Sequence, residues 1–130
     1  MSRYQVMRDD ELLVRAVNAD RAAMGELLER SRAAVQRRAT LRLGRRRQAA
    51  LSPEDIVQET FIDADRSICS GKFIPQDVRA FTKRLETTTD NNVRDAIAAM
   101  EAIKREGGIA RVALADAKLL DSLGGQTCRE

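Results

Sequence analysis

The sequence predicts an all-α domain, a compact bundle of about four helices, on three observations. Apolar residues recur at three- and four-residue spacing through most of residues 9–106, which is the period of a helix with one buried face. Hydrophobic residues make up 43% of the 130-residue chain, enough for one core, and the 3% aromatic content predicts aliphatic packing between helices. Residues typical of helix starts and stops separate the periodic segments. We therefore expect a helical domain over residues 1–108 and a tail over residues 109–130 with room for one short helix.

Two helices are predicted in the first part of the chain. A short amphipathic helix over residues 9–17 ends at a break, after which Asp20 can cap a longer helix that runs to about Leu43. Gly44 suits the left-handed residue that commonly closes a helix. Residues 45–47, all arginine, are expected as an exposed basic loop that either contacts phosphate or is simply solvated. The expected buried positions of the longer helix are Ala23, Met24, Leu27, Leu28, Ala34, Val35, Ala39 and Leu43.

The third helix has the clearest start signal. Ser52 can accept hydrogen bonds from the first free N–H groups, and Pro53 has the backbone angle of a first helical position. The helix should end near residues 68–70, and its expected buried stripe consists of Val57, Thr60, Phe61, Ala64 and Ile68. The opposite face contains Asp55, Gln58, Glu59, Ile62 and Arg66. An apolar residue within a polar face indicates either a docking patch or a merely solvated surface.

A loop and a final long helix complete the predicted domain. Residues 71–76 have the composition of a loop, and the last helix should begin near residues 76–77 and end at Glu106, before two glycines. Between Leu85 and Val93 the apolar stripe is interrupted by threonine and asparagine, which indicates either a functional polar surface or a weak, kinked helix. The expected stripe consists of Val78, Phe81, Leu85, Val93, Ala96, Ile97, Met100 and Ile103.

Charge is distributed unevenly along the chain. Residues 1–51 carry twelve arginines and six acidic residues, a net charge of +6, whereas residues 52–70 carry five acidic residues and one arginine, a net charge of −4. The overall charge of +3 conceals this separation. Such an arrangement suits a protein that contacts both a basic protein surface and a polyanion.

The residue types present exclude most catalytic chemistry. The chain has no histidine, and therefore no histidine-based triad, metal ligand or proton shuttle. Cys69 and Cys128 are too far apart in sequence for a Cys-x-x-Cys motif, and the chain has neither a Gly-rich phosphate loop nor a nucleophile elbow. We therefore predict that the protein is not an enzyme and uses no metal or cofactor.

The cysteines and the hydropathy pattern also predict a location. Two thiols, no apolar segment at the N-terminus and no long apolar run are typical of a soluble protein of a reducing cytoplasm, without membrane contact. Cys69 is interpreted as a small, partly buried hydrophobe rather than as a reactive thiol.

Residues 55–61, DIVQETF, resemble the D-[LI]-V-Q-E-x-F signature of bacterial sigma factors of the extracytoplasmic-function group. Flanking segments extend the resemblance over about residues 10–108, with LLVRAV at 12–17, DRAA at 20–23 and NNVRDAI at 91–97. The resemblance implies the fold of sigma region two and an exposed face that binds the coiled-coil clamp helices of the RNA polymerase β′ subunit. The residues implied in polymerase binding are Asp55, Gln58, Glu59, Ile62 and Arg66.

The resemblance also implies a surface for promoter DNA. In such factors, the loop before the last helix and the first turns of that helix bind the non-template strand of the −10 element and capture a flipped base. Phe73 is best suited to stack on a base, whereas Phe81 fits the buried stripe. The implied DNA-binding residues are Lys72, Phe73, Arg79, Lys83, Arg84, Thr88, Asn91 and Asn92.

The chain departs from the family pattern at several positions. The family usually has F-R-A-W-L-x-x-I-A-x-N in its last helix, and here either Phe81 or Arg84 takes the Trp position, depending on the register. Asp65 also occupies a position where Trp is common. Residues 109–130 are too few for the helix-turn-helix region four that reads the −35 element, so the chain is either a fragment or a region-two module that works alone.

The sequence therefore predicts a transcription initiation factor that binds RNA polymerase core and recognises or melts the promoter −10 element. An anti-sigma factor is a further partner that this class implies. Two other functions fit the same residues. One is a helical adaptor that binds a basic protein through the acidic face without DNA, and the other is a stand-alone DNA-binding regulator that uses the arginine-rich part. The polar Thr/Asn surface favours the initiation factor over the adaptor, and the acidic centre disfavours a simple DNA binder.

Overall fold

The computed structural model describes residues 2–106, and all regular secondary structure among them is helical. A short 3₁₀ helix, Arg3–Val6, precedes four α-helices: α1 (Asp9–Val17), α2 (Arg21–Arg47), α3 (Pro53–Cys69) and α4 (Val78–Glu106). The predicted all-α bundle of four helices is therefore confirmed. The predicted tail with its short helix lies outside the described residues. Within residues 2–106, no helix combines the length and the apolar character needed to cross a membrane.

Three polar residues begin the helices that follow them. The Asp20 carboxylate accepts a hydrogen bond from the Ala23 N–H at 3.1 Å, and the Asp77 carboxylate accepts one from the Ala80 N–H at 2.8 Å. The Ser52 hydroxyl accepts from the N–H groups of the second and third residues after it, at 3.2 and 3.4 Å. Because these contacts are local, the starts of α2, α3 and α4 are close to where the sequence predicted them.

Helix α2 contains a kink at Gly44. This residue has a φ of 77° and a ψ of 160°, so the predicted positive φ is confirmed. The expectation that residues 45–47 form a loop is wrong, because the chain resumes a helical turn after the kink. The Gln48 N–H closes that turn by donating to the carbonyl oxygen of Gly44 at 3.3 Å.

The core consists of two clusters of buried side chains. The larger one is formed by α1, α3 and the N-terminal halves of α2 and α4, and it contains Leu12 and Phe81, which are 0% and 1% exposed. The smaller cluster joins the C-terminal part of α2 and the middle of α4 to the start of α3, and it consists of Ala39, Leu43, Ile56 and Val93. The predicted stripe of α3 did not include Ile56. Ile56 is buried because the start of α3 packs between α2 and α4, which together cover more than one row of its side chains.

Several predicted core positions are less buried than expected. Five half-buried ones belong to the predicted stripe of α4: Val78, Ala96, Ile97, Met100 and Ile103. Ala34 is exposed, because it lies at the rim of a groove between α2 and α4 instead of inside it. Phe61 is half-buried, and the guanidinium of Arg32 lies 5.1 Å from the centre of its ring.

Two residues of the polar interruption in α4, Thr89 and Asn92, are part of the core. Thr89 is 0% exposed and its hydroxyl donates to the Leu85 carbonyl at 2.6 Å, while Asn92 is 5% exposed and its side-chain N–H donates to the Thr60 hydroxyl at 3.2 Å. Because these buried groups are hydrogen-bonded, they do not weaken the helix, and α4 is one continuous element.

Candidate functional site

The outer face of α3 brings together the five residues implied in polymerase binding. They are spaced three, four, seven and eleven residues after the first, which places them within an arc of about 100° on the helix. Val57 and Ala64, both buried, lie on the opposite side of the same helix. This outer face of α3 consists of Asp55, Gln58, Glu59, Ile62 and Arg66.

Exposure differs along this face. Asp55 and Gln58 are exposed, as expected, whereas Glu59, Ile62 and Arg66 are half-buried. The Oε1 atom of Glu59 and the Nε atom of Arg66 are each buried from solvent. The expectation of a fully exposed face is therefore wrong from Glu59 onwards.

Cys69 lies at the C-terminal end of the same face, three residues after Arg66. It is half-buried, as predicted, and the guanidinium of Arg21 lies 3.7 Å from its sulfur. The expectation of a free thiol is wrong, since the described part of the chain contains no free cysteine. Cys69 therefore does not support the predicted reducing compartment, because that prediction depended on free thiols.

Asp65 occupies a position where the resembled family often has Trp. Here its carboxylate lies 3.6 Å from a guanidinium nitrogen of Arg21, so it forms an ion pair between α3 and α2. The pair is partly exposed and contributes little to stability. It leaves this position of α3 without an aromatic side chain for a partner to contact.

A second surface, here called the basic strip, runs along the exposed side of α4. Arg79, Lys83, Thr87 and Asn91 are each four residues apart, so their side chains lie one above the other along nearly the same side of the helix. The side chains combine positive charge with hydroxyl and amide groups, which can contact phosphate oxygens and base edges. The basic strip consists of Arg79, Lys83, Arg84, Thr87, Asn91 and Arg94, all of them exposed.

Two of the DNA-binding residues implied by the sequence lie away from this strip. Asn92 points into the core, where it is held by Thr60, and Thr88 is half-buried. Asn92 is therefore not a surface contact in this structure, because the buried stripe of α4 passes through positions 85, 89, 92 and 93. Arg94 was missed by the sequence reasoning, although its helical angle matches that of Lys83 and Thr87.

The loop between α3 and α4 adds an aromatic side chain next to the strip. Phe73 is half-buried against the larger core cluster, and its backbone N–H donates to the Ser67 carbonyl at 3.1 Å. The Arg84 guanidinium lies 4.8 Å from the centre of the Phe73 ring, a cation–π contact. Lys72 is exposed in the same loop.

An open depression of about 510 Å³ lies where this loop meets the first turns of α4. Phe73 lines it together with three cations of the basic strip, Arg79, Lys83 and Arg84. A volume of this size accommodates a group as large as a nucleobase. Its lining residues are Phe73, Gln76, Asp77, Arg79, Ala80, Lys83, Arg84 and Thr87.

No family model, curated protein or solved structure matches the chain. The resemblance of residues 55–61 and their flanks to the sigma-factor signature therefore stands on those residues alone. Neither surface carries a metal-binding arrangement, since residues 2–106 contain no group of three or more acidic or cysteine side chains able to hold an ion. What the surfaces offer is contact to macromolecules: an acidic and amide face on α3, and a basic strip with an aromatic depression on α4.

Proposed function

We propose that the protein is a transcription initiation factor that binds RNA polymerase core through the outer face of α3 and promoter −10 DNA through the basic strip of α4. The observation that carries this proposal is the separation of two surfaces with opposite chemistry on adjacent helices. The first carries carboxylates and an amide, and the second carries four cations with hydroxyl and amide groups. A protein that joins a basic protein surface to a polyanion needs this separation.

The outer face of α3 has the composition of a small protein-binding patch. Ile62 supplies an apolar centre, and Asp55, Gln58 and Glu59 supply polar contacts around it. An apolar anchor enclosed by charged groups concentrates binding energy in a few residues, while the charges select a basic partner. The resemblance to the D-[LI]-V-Q-E-x-F signature supports the β′ clamp helices as that partner.

The basic strip and its depression suit single-stranded DNA. Arg79 and Lys83 can neutralise phosphates, and Asn91 can hydrogen-bond to a base edge. Within the depression, a base can stack on Phe73 while the Arg84 guanidinium stays on the same ring or moves to a phosphate. The helical-adaptor alternative uses the α3 face alone and leaves this strip without a role.

The polymerase contact is tested by reversing a charge on α3. Glu59→Lys should weaken core binding by about 1–3 kcal/mol, because a like charge then meets the basic partner. Glu86→Lys is the matched control, since Glu86 is exposed on α4 outside both surfaces. Core affinity is measured by fluorescence anisotropy in reducing buffer, with circular dichroism on the same samples. Unchanged affinity in Glu59→Lys and in Gln58→Ala would contradict the clamp assignment.

A further inference from the structure

A groove of about 900 Å³ lies between the C-terminal part of α2 and the last turns of α4. Its apolar lining continues the smaller core cluster, because Leu43 belongs to that cluster and Leu51 and Ala96 pack against it. Met100 and Ile103 also line the groove, although they belong to neither core cluster of residues 2–106. The bundle thus leaves an apolar stripe of α4 only half-buried at this end.

Positive charge accompanies this apolar lining, and the site is here called the arginine groove. Four cations and one acid line it, a net charge of +3: Arg45, Arg46, Arg47, Lys104 and Glu101. No ion pair within residues 2–106 engages any of the four cations, whereas four other arginines of α2 are paired with acidic side chains. The cations of the arginine groove are therefore available to an anionic partner.

The kink at Gly44 places the arginines at the groove. Gly44 is itself part of the lining, and its φ of 77° and ψ of 160° set the turn 45–47 off from the straight path of α2. Across the kink, the Nη1 atom of Arg47 donates to the Leu43 carbonyl at 3.5 Å. Arg45 and Arg46 are exposed. The local backbone therefore holds an exposed cationic turn beside the buried end of the straight part of α2.

The dimensions of the groove suit a short helix. Its α4 side extends from Ala96 to Lys104, a rise of about 12 Å, which is about two helical turns. An occupant must bring apolar side chains to the lining and negative charge to the four cations. An amphipathic helix with carboxylates beside its apolar face brings both.

Nucleic acids and membranes match the groove less well. Nucleic acid supplies phosphates but no aliphatic side chains, and no aromatic side chain of residues 2–106 lines the groove to stack on a base. A membrane surface takes up apolar residues that project into it, whereas the apolar residues here line a depression. The chemistry therefore favours a protein partner.

We propose that the arginine groove binds an acidic amphipathic helix of another protein. Apolar side chains of that helix contact Leu51, Met100 and Ile103, and its carboxylates pair with Arg45 and Arg46. The groove shares no residue with the outer face of α3 or with the basic strip. The contact is therefore a further one, and it does not rest on the proposed function.

The first experiment measures binding of a designed probe by fluorescence anisotropy. The probe is a labelled amphipathic helix of about 18 residues, with leucines at three- and four-residue spacing and glutamates on both flanks. Arg46→Glu should weaken binding about 5-fold or more, because a like charge then meets the glutamates. The matched control is Arg37→Glu, which should change affinity less than about 2-fold, since Arg37 is an exposed arginine of α2 outside the arginine groove.

Circular dichroism on the same samples verifies that both variants are folded. Equal losses of affinity in Arg46→Glu and Arg37→Glu overturn the proposal, because they show attraction to net charge without a site. Absence of probe binding to wild type also overturns it.

The second experiment tests the apolar part of the groove on the wild-type protein. A probe with every glutamate kept and every leucine replaced by alanine should bind about 10-fold more weakly, because the apolar contacts are lost. Equal affinity for the two probes overturns the proposal. Met100→Gln should weaken binding of the leucine probe about 3-fold or more, and if this variant does not fold, the comparison of the two probes decides alone.

Competition identifies other occupants of the groove. If single-stranded DNA or anionic phospholipid vesicles displace the leucine probe as effectively as unlabelled probe does, the groove binds a polyanion or a membrane, and the proposal is overturned. Self-association of the wild type in sedimentation, abolished by Arg46→Glu and retained in Arg37→Glu, overturns it in favour of a second copy of the chain.

Discussion

Asp90 on α4 is held by two arginines of α2. The Nε and Nη2 atoms of Arg38 donate to its two carboxylate oxygens at 2.9 and 2.8 Å, and the Nε atom of Arg42 donates to one of them at 3.1 Å. The side chains of Asp90 and Arg38 are 26% and 31% exposed, so solvent screens this two-point contact only in part. It fixes the spacing of α2 and α4 beside the basic strip.

This contact gives stability a defined dependence on pH. Hydrogen bonds from Arg38, followed by the charges of Arg38 and Arg42, lower the pKa of Asp90 from its ordinary value. A carboxyl whose pKa is lower in the folded state stabilises the fold above its unfolded pKa, about 3.9, and this contribution is lost as pH falls through the folded pKa.

Asp90→Asn should therefore lower the free energy of unfolding by about 1–2 kcal/mol at pH 7. The difference between the variant and wild type should begin to shrink below about pH 4, where Asp90 of the unfolded chain becomes protonated, and should go on shrinking as pH falls through the lower pKa of folded Asp90. Urea unfolding at pH 7 and at pH 3 measures both values. A difference that stays constant over this range would show that the carboxylate charge does not contribute.

Phe73 and Phe81 are expected to have separate roles. Phe81 is 1% exposed inside the core, so Phe81→Ala should destabilise the domain by about 3–5 kcal/mol. Phe73 is half-buried at the depression, so Phe73→Ala should mainly weaken binding of a −10 single strand to the polymerase complex, by about 1–3 kcal/mol. Thermal melts and single-strand affinity are measured on both variants. If Phe73→Ala unfolds the domain, the ring belongs to the core; if strand binding is unchanged, the depression is not the base site.

At the scale of elements, the start of α3 positions the outer face. Ser52 satisfies two N–H groups at 3.2 and 3.4 Å, and the turn that it caps carries Asp55. Ser52→Ala should therefore lower the free energy of unfolding by about 1 kcal/mol, while Ser52→Asp should retain most of it. Chemical denaturation of the two variants and wild type measures the difference. If both variants lose the same free energy of unfolding, the Ser52 hydroxyl stabilises the fold by something other than capping.

Helix boundaries were predictable from sequence because their signals are local. The residues that cap α2 and α3 lie within three residues of the N–H groups that they satisfy. The spacing of apolar residues alone was enough to predict that Phe81 and Leu85 are buried in the core. Asn92 was assigned to the surface because its hydrogen-bond partner, Thr60, is 32 residues away and on another helix. A polar residue is ordinarily exposed, and only the tertiary partner shows that it is buried.

The candidate surfaces were predictable to different degrees. The five residues on the outer face of α3 follow from helical spacing within one element, so the sequence suffices to group them. Their burial does not follow, since it depends on what packs against the helix from elsewhere. The depression beside Phe73 combines a loop with the first turns of α4, and the contact between Phe73 and Arg84 depends on how that loop folds.

At the scale of the whole molecule, charge separation determines how the protein meets DNA. The net charge of +6 over residues 1–51 resides mainly on α2, where Arg30, Arg32, Arg38 and Arg42 are paired with acidic side chains. The basic strip of α4 therefore offers only a small set of cations to DNA. The acidic side chains of α3 repel a polyanion that lies nearby. This arrangement favours DNA binding that depends on a partner.

Free DNA binding by the protein alone should accordingly be weak and sensitive to salt. Three cations around the depression, Arg79, Lys83 and Arg84, can each neutralise one phosphate of a single strand. The logarithm of the binding constant should then fall with the logarithm of salt concentration with a slope of about −2, since each phosphate contributes about −0.7.

Removing one of these cations tests where the strand binds. Lys83→Glu should make the salt slope shallower by about 0.7 and weaken binding of the −10 single strand, because one phosphate contact is lost. Lys104→Glu is the matched control, an exposed lysine near the other end of the same helix, and it should leave the slope unchanged. Polymerase core should strengthen single-strand binding, since it presents the open strand to this surface. Tight, sequence-specific binding to intact duplex without polymerase, equal in both variants, would instead place DNA on the arginine-rich part of the chain and favour the stand-alone regulator.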